Sequence, residues 1–155
     1  MLENCKTALE RWGGTHEIID RWLGDRKQTL IHFFQIQDAE GEEAVCRSIE
    51  EFNRLLVDYI SSGHFEVYEQ LFREATEFDD DGGIALAKEL YPLIEETTQF
   101  MLDFNDKYAA HSMIQANIAS LKGDLSALGE KMTERFAYED RLIEQLHNAH
   151  ESKLL

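Results

Sequence analysis

Histidines and carboxylates recur in this sequence at spacings that helices use for metal ligation. His16 and Asp20 stand four residues apart, on one face of a helix, and Glu144 with His147 makes the Glu-x-x-His pattern of di-iron bundles. A ferritin-like centre needs that pattern twice, and here it occurs once. His147 and His150 fall near the C-terminal end, where a fraying helix favours surface hydrogen bonds over a structured ligand set. No metal and no cofactor is expected.

Nucleophilic chemistry finds no better footing. Cys5 and Cys46 lack CxxC spacing, and neither stands beside a histidine in the sequence. No glycine-rich phosphate loop follows a strand, and no nucleophile elbow is present. The expectation is a protein that is not an enzyme.

Positioning any of these side chains falls to helices. A 155-residue chain with 43% hydrophobic residues closes one core, so a single domain over residues 1–155 is expected. Pro92 is its one proline, and no segment alternates residue by residue as a half-buried strand does. After a short N-terminal helix, Gly13-Gly14 breaks the pattern, and Thr15 is the N-cap of a long helix with the stripe Ile18, Ile19, Trp22, Leu23, Leu30, Phe33 and Phe34. A loop around Gly41 precedes a second long helix from Val45 to Ser61. Ser61-Ser62-Gly63 reads as a C-cap and sharp corner before a short helix from His64 to Ala75. An acidic loop, Phe78 to Gly83, leads into a stripe from Ile84 to Tyr108 that Pro92 starts or kinks. Beyond a break at Ala109 to Ser112, Leu125 to Leu146 mark the last long helix, with Gly123 and Gly129 weakening its early part. Together these segments predict an all-α fold, an antiparallel four-helix bundle with additional short helices.

The formal charge of -16 repels nucleic-acid phosphates and anionic membranes, so neither direct DNA binding nor membrane association is expected. No apolar run approaches the roughly 20 residues of a bilayer span, and the charged start of the chain lacks a signal-type apolar stretch, so a cytoplasmic protein is expected. The same field attracts cationic partners and makes their binding sensitive to salt.

Polar residues on apolar stripes point beyond packing. Stepping along each stripe lands on Arg26, Asn105, Arg135 and Glu139, while Asp58 and His64 flank the expected corner at Gly63. Together they could line a polar central cavity. Two readings follow: a network opening onto a binding surface, or pairs held inside for fold specificity. Trp22, Phe33, Phe34, Phe52 and Phe136 at helical spacing read as core; Trp12 and Phe65, beside helix breaks, are open to either role.

Three stretches carry a resemblance. Asp20-Arg21-Trp22-Leu23 with Arg26-Lys27, the run from Leu56 through Gly63-His64-Phe65 with Tyr68-Glu69, and Arg135-Phe136 with Glu139-Asp140 and Leu142-Ile143 resemble the Rsd/AlgQ family of sigma regulators. The likeness covers nearly the whole chain, from Met1-Leu2 to His150. Glu10-Arg11-Trp12-Gly13-Gly14 and His147-Asn148-Ala149-His150 look more like the pseudomonad AlgQ branch than the enterobacterial Rsd branch. Ser62, where alanine is common, and the acidic Asp79 to Gly83 loop depart from the pattern, so loop contacts do not carry over.

The resemblance implies a cytoplasmic anti-sigma factor, a transcription regulator that binds the primary, housekeeping sigma factor. Binding would be chiefly to region 4, hindering its engagement of core RNA polymerase and the -35 promoter element. For AlgQ-like members it implies alginate and virulence-gene regulation, and for the Rsd branch a second protein partner, a phosphocarrier or alarmone-metabolism protein. A ligand or metal sensor using the polar cavity is a reading of a different kind. Region 4 must carry basic residues to hold promoter phosphates, and an acidic bundle suits that surface. On this reading the face near Gly63 docks sigma, with Asp20, Asp58 and Glu69 opposite basic groups and Arg21, Trp22, Arg26, His64, Phe65 and Tyr68 shaping the surface.

Overall fold

Helix-forming residues carry the chain through stretches where glycine was expected to stop it. The computed structural model describes residues 8–154, and among these every regular element is helical. Cys5 and the Met1-Leu2 start lie outside the described residues. Helix α1 (Ala8–Asp38) spans 31 residues and runs through Gly13 and Gly14, so the expected break is absent and Thr15 is a buried mid-helix residue, not an N-cap. Each interior glycine costs about 1 kcal/mol against alanine. Packing at this end of the helix offsets the cost: Trp12 Nε1 donates to the His147 carbonyl at 3.0 Å, and the two rings stack at 4.4 Å.

Gly41, at φ 89°, supplies the left-handed residue that turns the chain into α2 (Glu42–Ser62), whose first turn carries Glu42 and Glu43 at the positive end of the helix dipole. The expected corner at Gly63 is also absent. Gly63 has right-handed φ and ψ of -58° and -55°, and the helical path continues through a π-helical segment, Gly63–Val67, into α3 (Tyr68–Glu77). The Tyr68 N–H reaches back five residues to the Gly63 carbonyl. This wider turn brings the Tyr68 ring over Gly63, where a Cβ would lie 3.1 Å from both its Cζ and its hydroxyl.

Helix α4 (Asp81–Lys107) begins at an N-cap, with Asp80 Oδ1 accepting from the Gly83 N–H at 2.8 Å. A Cβ at Gly83 would lie 2.5 Å from the other Asp80 oxygen, so a larger residue there would displace the capping carboxylate. Pro92 sits inside α4 on its exposed side and does not start it. The short α5 (His111–Ala116) and α6 (Ile118–Leu146) follow, and α6 starts earlier than its leucine stripe indicates, running through Gly123 and Gly129. A 3-10 segment, Asn148–Leu154, folds back over the bundle.

The most extensive helix pairings are α1 with α2 and α4 with α6. Between them lies one apolar cluster that includes Trp22, Ile49, Phe52, Leu56, Ile94, Met101 and Leu128. Each side chain fully buried there contributes roughly 1.5–3 kcal/mol through area removed from water. Phe34 departs from the expected core at 53% exposed, and Phe136 is only partly buried. The protein is an all-α helical bundle, and none of the described helices is long and apolar enough to cross a membrane.

Candidate functional site

The polar residues on the apolar stripes meet at the centre of the bundle. Arg135 and Glu139, one turn apart on α6, are fully buried and joined Nε to Oε2 at 3.2 Å. Two tyrosines close the pair. Tyr59 of α2 donates to Glu139 at 2.5 Å and accepts from Arg135 Nε at 3.1 Å. Tyr68 of α3 donates to Glu139 at 2.5 Å and accepts from the Arg135 guanidinium at 3.0 Å. The other side of the guanidinium donates to Thr97, Thr98 and the Ile94 carbonyl of α4. Every nitrogen of the Arg135 guanidinium and both oxygens of Glu139 are thereby engaged, so the centre is a network of side chains and not the polar cavity anticipated from sequence.

Burial and neighbouring charge act on each titratable member of this network. Burial and the Glu139 charge push both phenols well above their ordinary range, so they remain donors. Burial raises the Glu139 carboxyl, opposed by Arg135, the two phenols and Arg26. Arg26 of α1 carries the network outward: it contacts Glu139 at 3.3 Å and Asp140 at 2.8 Å, with its guanidinium 4.8 Å over the Phe136 ring. His64 connects on the other flank, its Nε2 at 2.7 Å from Thr98 and its Nδ1 3.4 Å from the Tyr91 hydroxyl. Burial and the nearby Arg135 charge lower His64 to about 4, leaving it neutral at physiological pH.

Of the six residues placed in the polar cavity, four meet in this network: Arg26, His64, Arg135 and Glu139. Asp58 does not, because it faces solvent on α2 while its neighbour Tyr59 turns inward. Asn105 does not either; the buried amide is Asn53 of α2, which donates to the Tyr108 carbonyl at 3.1 Å.

The residues placed on the docking face divide by depth. Trp22 and Tyr68 are buried and support the face from beneath. Asp20, Arg21, Asp58, Phe65 and Glu69 are exposed. Phe65, on the π-helical segment, is 81% exposed, the most exposed large hydrophobic side chain among the described residues. Arg21 ties α1 to this segment through Glu66 at 3.7 Å, and Glu69 pairs with Arg73 at 2.7 Å. Beside His64 a groove of about 560 Å³ is walled by Tyr68, Phe72, Tyr91 and Leu146.

Sequence reasoning missed a second polar cluster. His147 and His150, expected as surface residues of a fraying end, are both buried and hydrogen-bonded to the two oxygens of Glu74 at 2.8 and 2.9 Å. His150 also contacts Asp80 at 2.8 Å, and His147 contacts His16 at 3.1 Å. The only hint in the sequence was Glu74, a carboxylate among the apolar residues of the α3 stripe.

The sequence pattern described as regulator of RNA polymerase sigma(70) subunit, Rsd/AlgQ, matches residues 1–147. A protein named regulator of sigma D from Enterobacter sp. (strain 638) is 35% identical over 148 residues, covering 92% of this chain and 88% of that protein. Proteins of the same name from Salmonella typhi and Salmonella arizonae are each 32% identical over 148 residues, covering 92% of this chain and 90% of theirs. With the pattern matched almost end to end and these relatives aligned along nearly all of their length, the chain belongs to the Rsd/AlgQ family of regulators of the RNA polymerase sigma(70) subunit.

Proposed function

We propose that this protein is a cytoplasmic anti-sigma factor that binds the primary sigma factor, chiefly through region 4, and hinders its engagement of core polymerase and the -35 element. The observation that carries the reading is Phe65, an aromatic side chain 81% exposed on the π-helical turn. Burying such a ring against a partner is the usual source of a binding hot spot. Glu66 and Glu69 lie on the same and the following turn, Asp58 is exposed near the end of α2, Asp20 is exposed on α1, and the chain carries a net charge of -16. A promoter-binding region holds phosphates with basic residues, so the surface that reads the -35 element is the one this acidic face attracts. The role is binding and not catalysis, with the buried Arg135–Glu139 network holding α2, α3, α4 and α6 in the geometry that presents the face.

Competition tests the reading. Region 4 bound to a labelled -35 duplex should be displaced stoichiometrically by the protein, and displacement should weaken when Phe65→Ala is used. A duplex that stays bound at saturating protein contradicts the proposal.

A further inference from the structure

The second polar cluster is a continuous hydrogen-bonded path across five elements. It runs from His16 on α1 through His147 at the end of α6, Glu74 on α3 and His150 on the 3-10 segment to Asp80 at the N-cap of α4. His147, His150 and Glu74 are wholly or almost wholly withdrawn from solvent. Phe78 stacks on the His150 ring at 4.6 Å, and Trp12 stacks on His147 and His16 at 4.4 and 4.8 Å. The sigma-binding reading uses none of these groups.

An ionised carboxylate only accepts hydrogen bonds, and a neutral imidazole has a single N–H. His150 faces Glu74 with Nδ1 and Asp80 with Nε2. Both contacts hold only if one proton is present beyond a neutral imidazole and two carboxylates. That proton sits either on His150, which then donates to both sides, or on Glu74, which donates to Nδ1 while Nε2–H serves Asp80. His147 needs no extra proton: its Nδ1–H serves Glu74, and its Nε2 accepts from His16.

We propose that this shared proton is the catch of a clamp that holds the C-terminal segment, Asn148–Leu154, against α3 and the N-cap of α4, and that its loss as pH rises through neutrality releases the segment. Without it, a lone pair of His150 opposes a carboxylate oxygen, either of the fully buried Glu74 or of the partly exposed Asp80, and one contact opens.

The groups facing the catch agree on the pH range. Glu74 is raised to about 7, chiefly by burial and with Glu77 adding to it, against the lowering effects of His150 and His16. Asp80 is held low by the Gly83 N–H, His150 and Lys153, so it stays ionised, and Arg141 lines the same shallow hollow. Burial lowers His147 to about 4 against the charges of Asp20 and Glu151, so it remains neutral throughout. An acid raised above its unfolded value stabilises the fold below that value and loses the contribution as pH rises through the folded one. The clamp is therefore closed at pH 6 and opens through about 7.

Backbone hydrogen exchange of the full chain, corrected for the intrinsic rate, tests this at the His150 amide, which bonds to the His147 carbonyl at 3.0 Å. Protection there should fall at least about tenfold between pH 6 and 9. In Glu74→Gln the amide supplies one donor and one acceptor, as protonated Glu74 does, so protection should stay high and flat across the range. An equal fall in Glu74→Gln, or no fall in the natural protein, overturns the proposal. A nitrogen and carbon NMR titration of the natural protein keeps the test independent of that variant. Between pH 6 and 9 the hydrogen-bonded site around Glu74 must lose one proton; if it does not, the catch is absent.

Discussion

Arg135 Nε and Glu139 Oε2 lie 3.2 Å apart with neither side chain exposed, and two phenols and two threonines complete their hydrogen bonding. Such a pair is costly to desolvate and therefore sensitive to losing one partner. Glu139→Ala leaves Arg135 without its buried counter-charge and should lower stability by about 3–5 kcal/mol in urea denaturation. Replacing both by apolar residues of similar volume should cost far less than the single change. A Glu139→Ala loss below about 1 kcal/mol would contradict the assigned geometry.

Gly63 and Tyr68 should behave as a coupled pair. A Cβ at position 63 would lie 3.1 Å from the Tyr68 hydroxyl, which is fixed by Glu139 and Arg135. Helix propensity alone favours alanine by about 1 kcal/mol, so a destabilised Gly63→Ala variant would report the clash. We expect a loss of about 1 kcal/mol or more in the natural background, and a smaller one in Tyr68→Phe, where the hydroxyl is absent. Additive effects in a double-mutant cycle would show that the ring moves freely.

His64 sets a pH dependence opposite in sign to that of Glu74. Its value is lowered from 6.5 to about 4, so the stability it contributes is complete above 6.5 and is lost as pH falls through that window. Urea midpoints measured from pH 7 to 4 should fall less steeply in His64→Gln than in the natural protein. Identical slopes would remove His64 as a contributor.

Asp58 offers a clean test of charge on the proposed face, because it is exposed and outside the buried network. Asp58→Lys should leave the melting temperature within the range of ordinary surface changes, about 0.5 kcal/mol. Sigma affinity should fall about tenfold at low salt, and the difference should shrink as salt rises. Unchanged affinity in calorimetry would take Asp58 off the face.

The helices were legible because their apolar spacing is strong, and Arg26, Arg135 and Glu139 were found because charge on such a stripe is conspicuous. What the sequence concealed was set by tertiary contact. Gly13-Gly14 looks like a break until His147 is seen to hold Trp12. Gly63 resembles a C-cap because a π-helical turn has no spacing of its own. His147 and His150 looked like surface residues because their partner Glu74 is more than 70 residues away along the chain. Asp58 and Tyr59 adjoin in sequence, and only packing decides which turns inward.

The proposed interface sets an acidic, Phe65-centred face against region 4 of the primary sigma factor. Calorimetry of the purified protein with isolated region 4 at two salt concentrations, with an alternative sigma factor as control, tests it most directly. Selective binding that weakens with salt and falls about thirtyfold in Phe65→Ala is expected, the loss of a hot spot of about 2 kcal/mol. Absence of binding to region 4 and to full-length sigma, or affinity indifferent to both salt and Phe65, would contradict it.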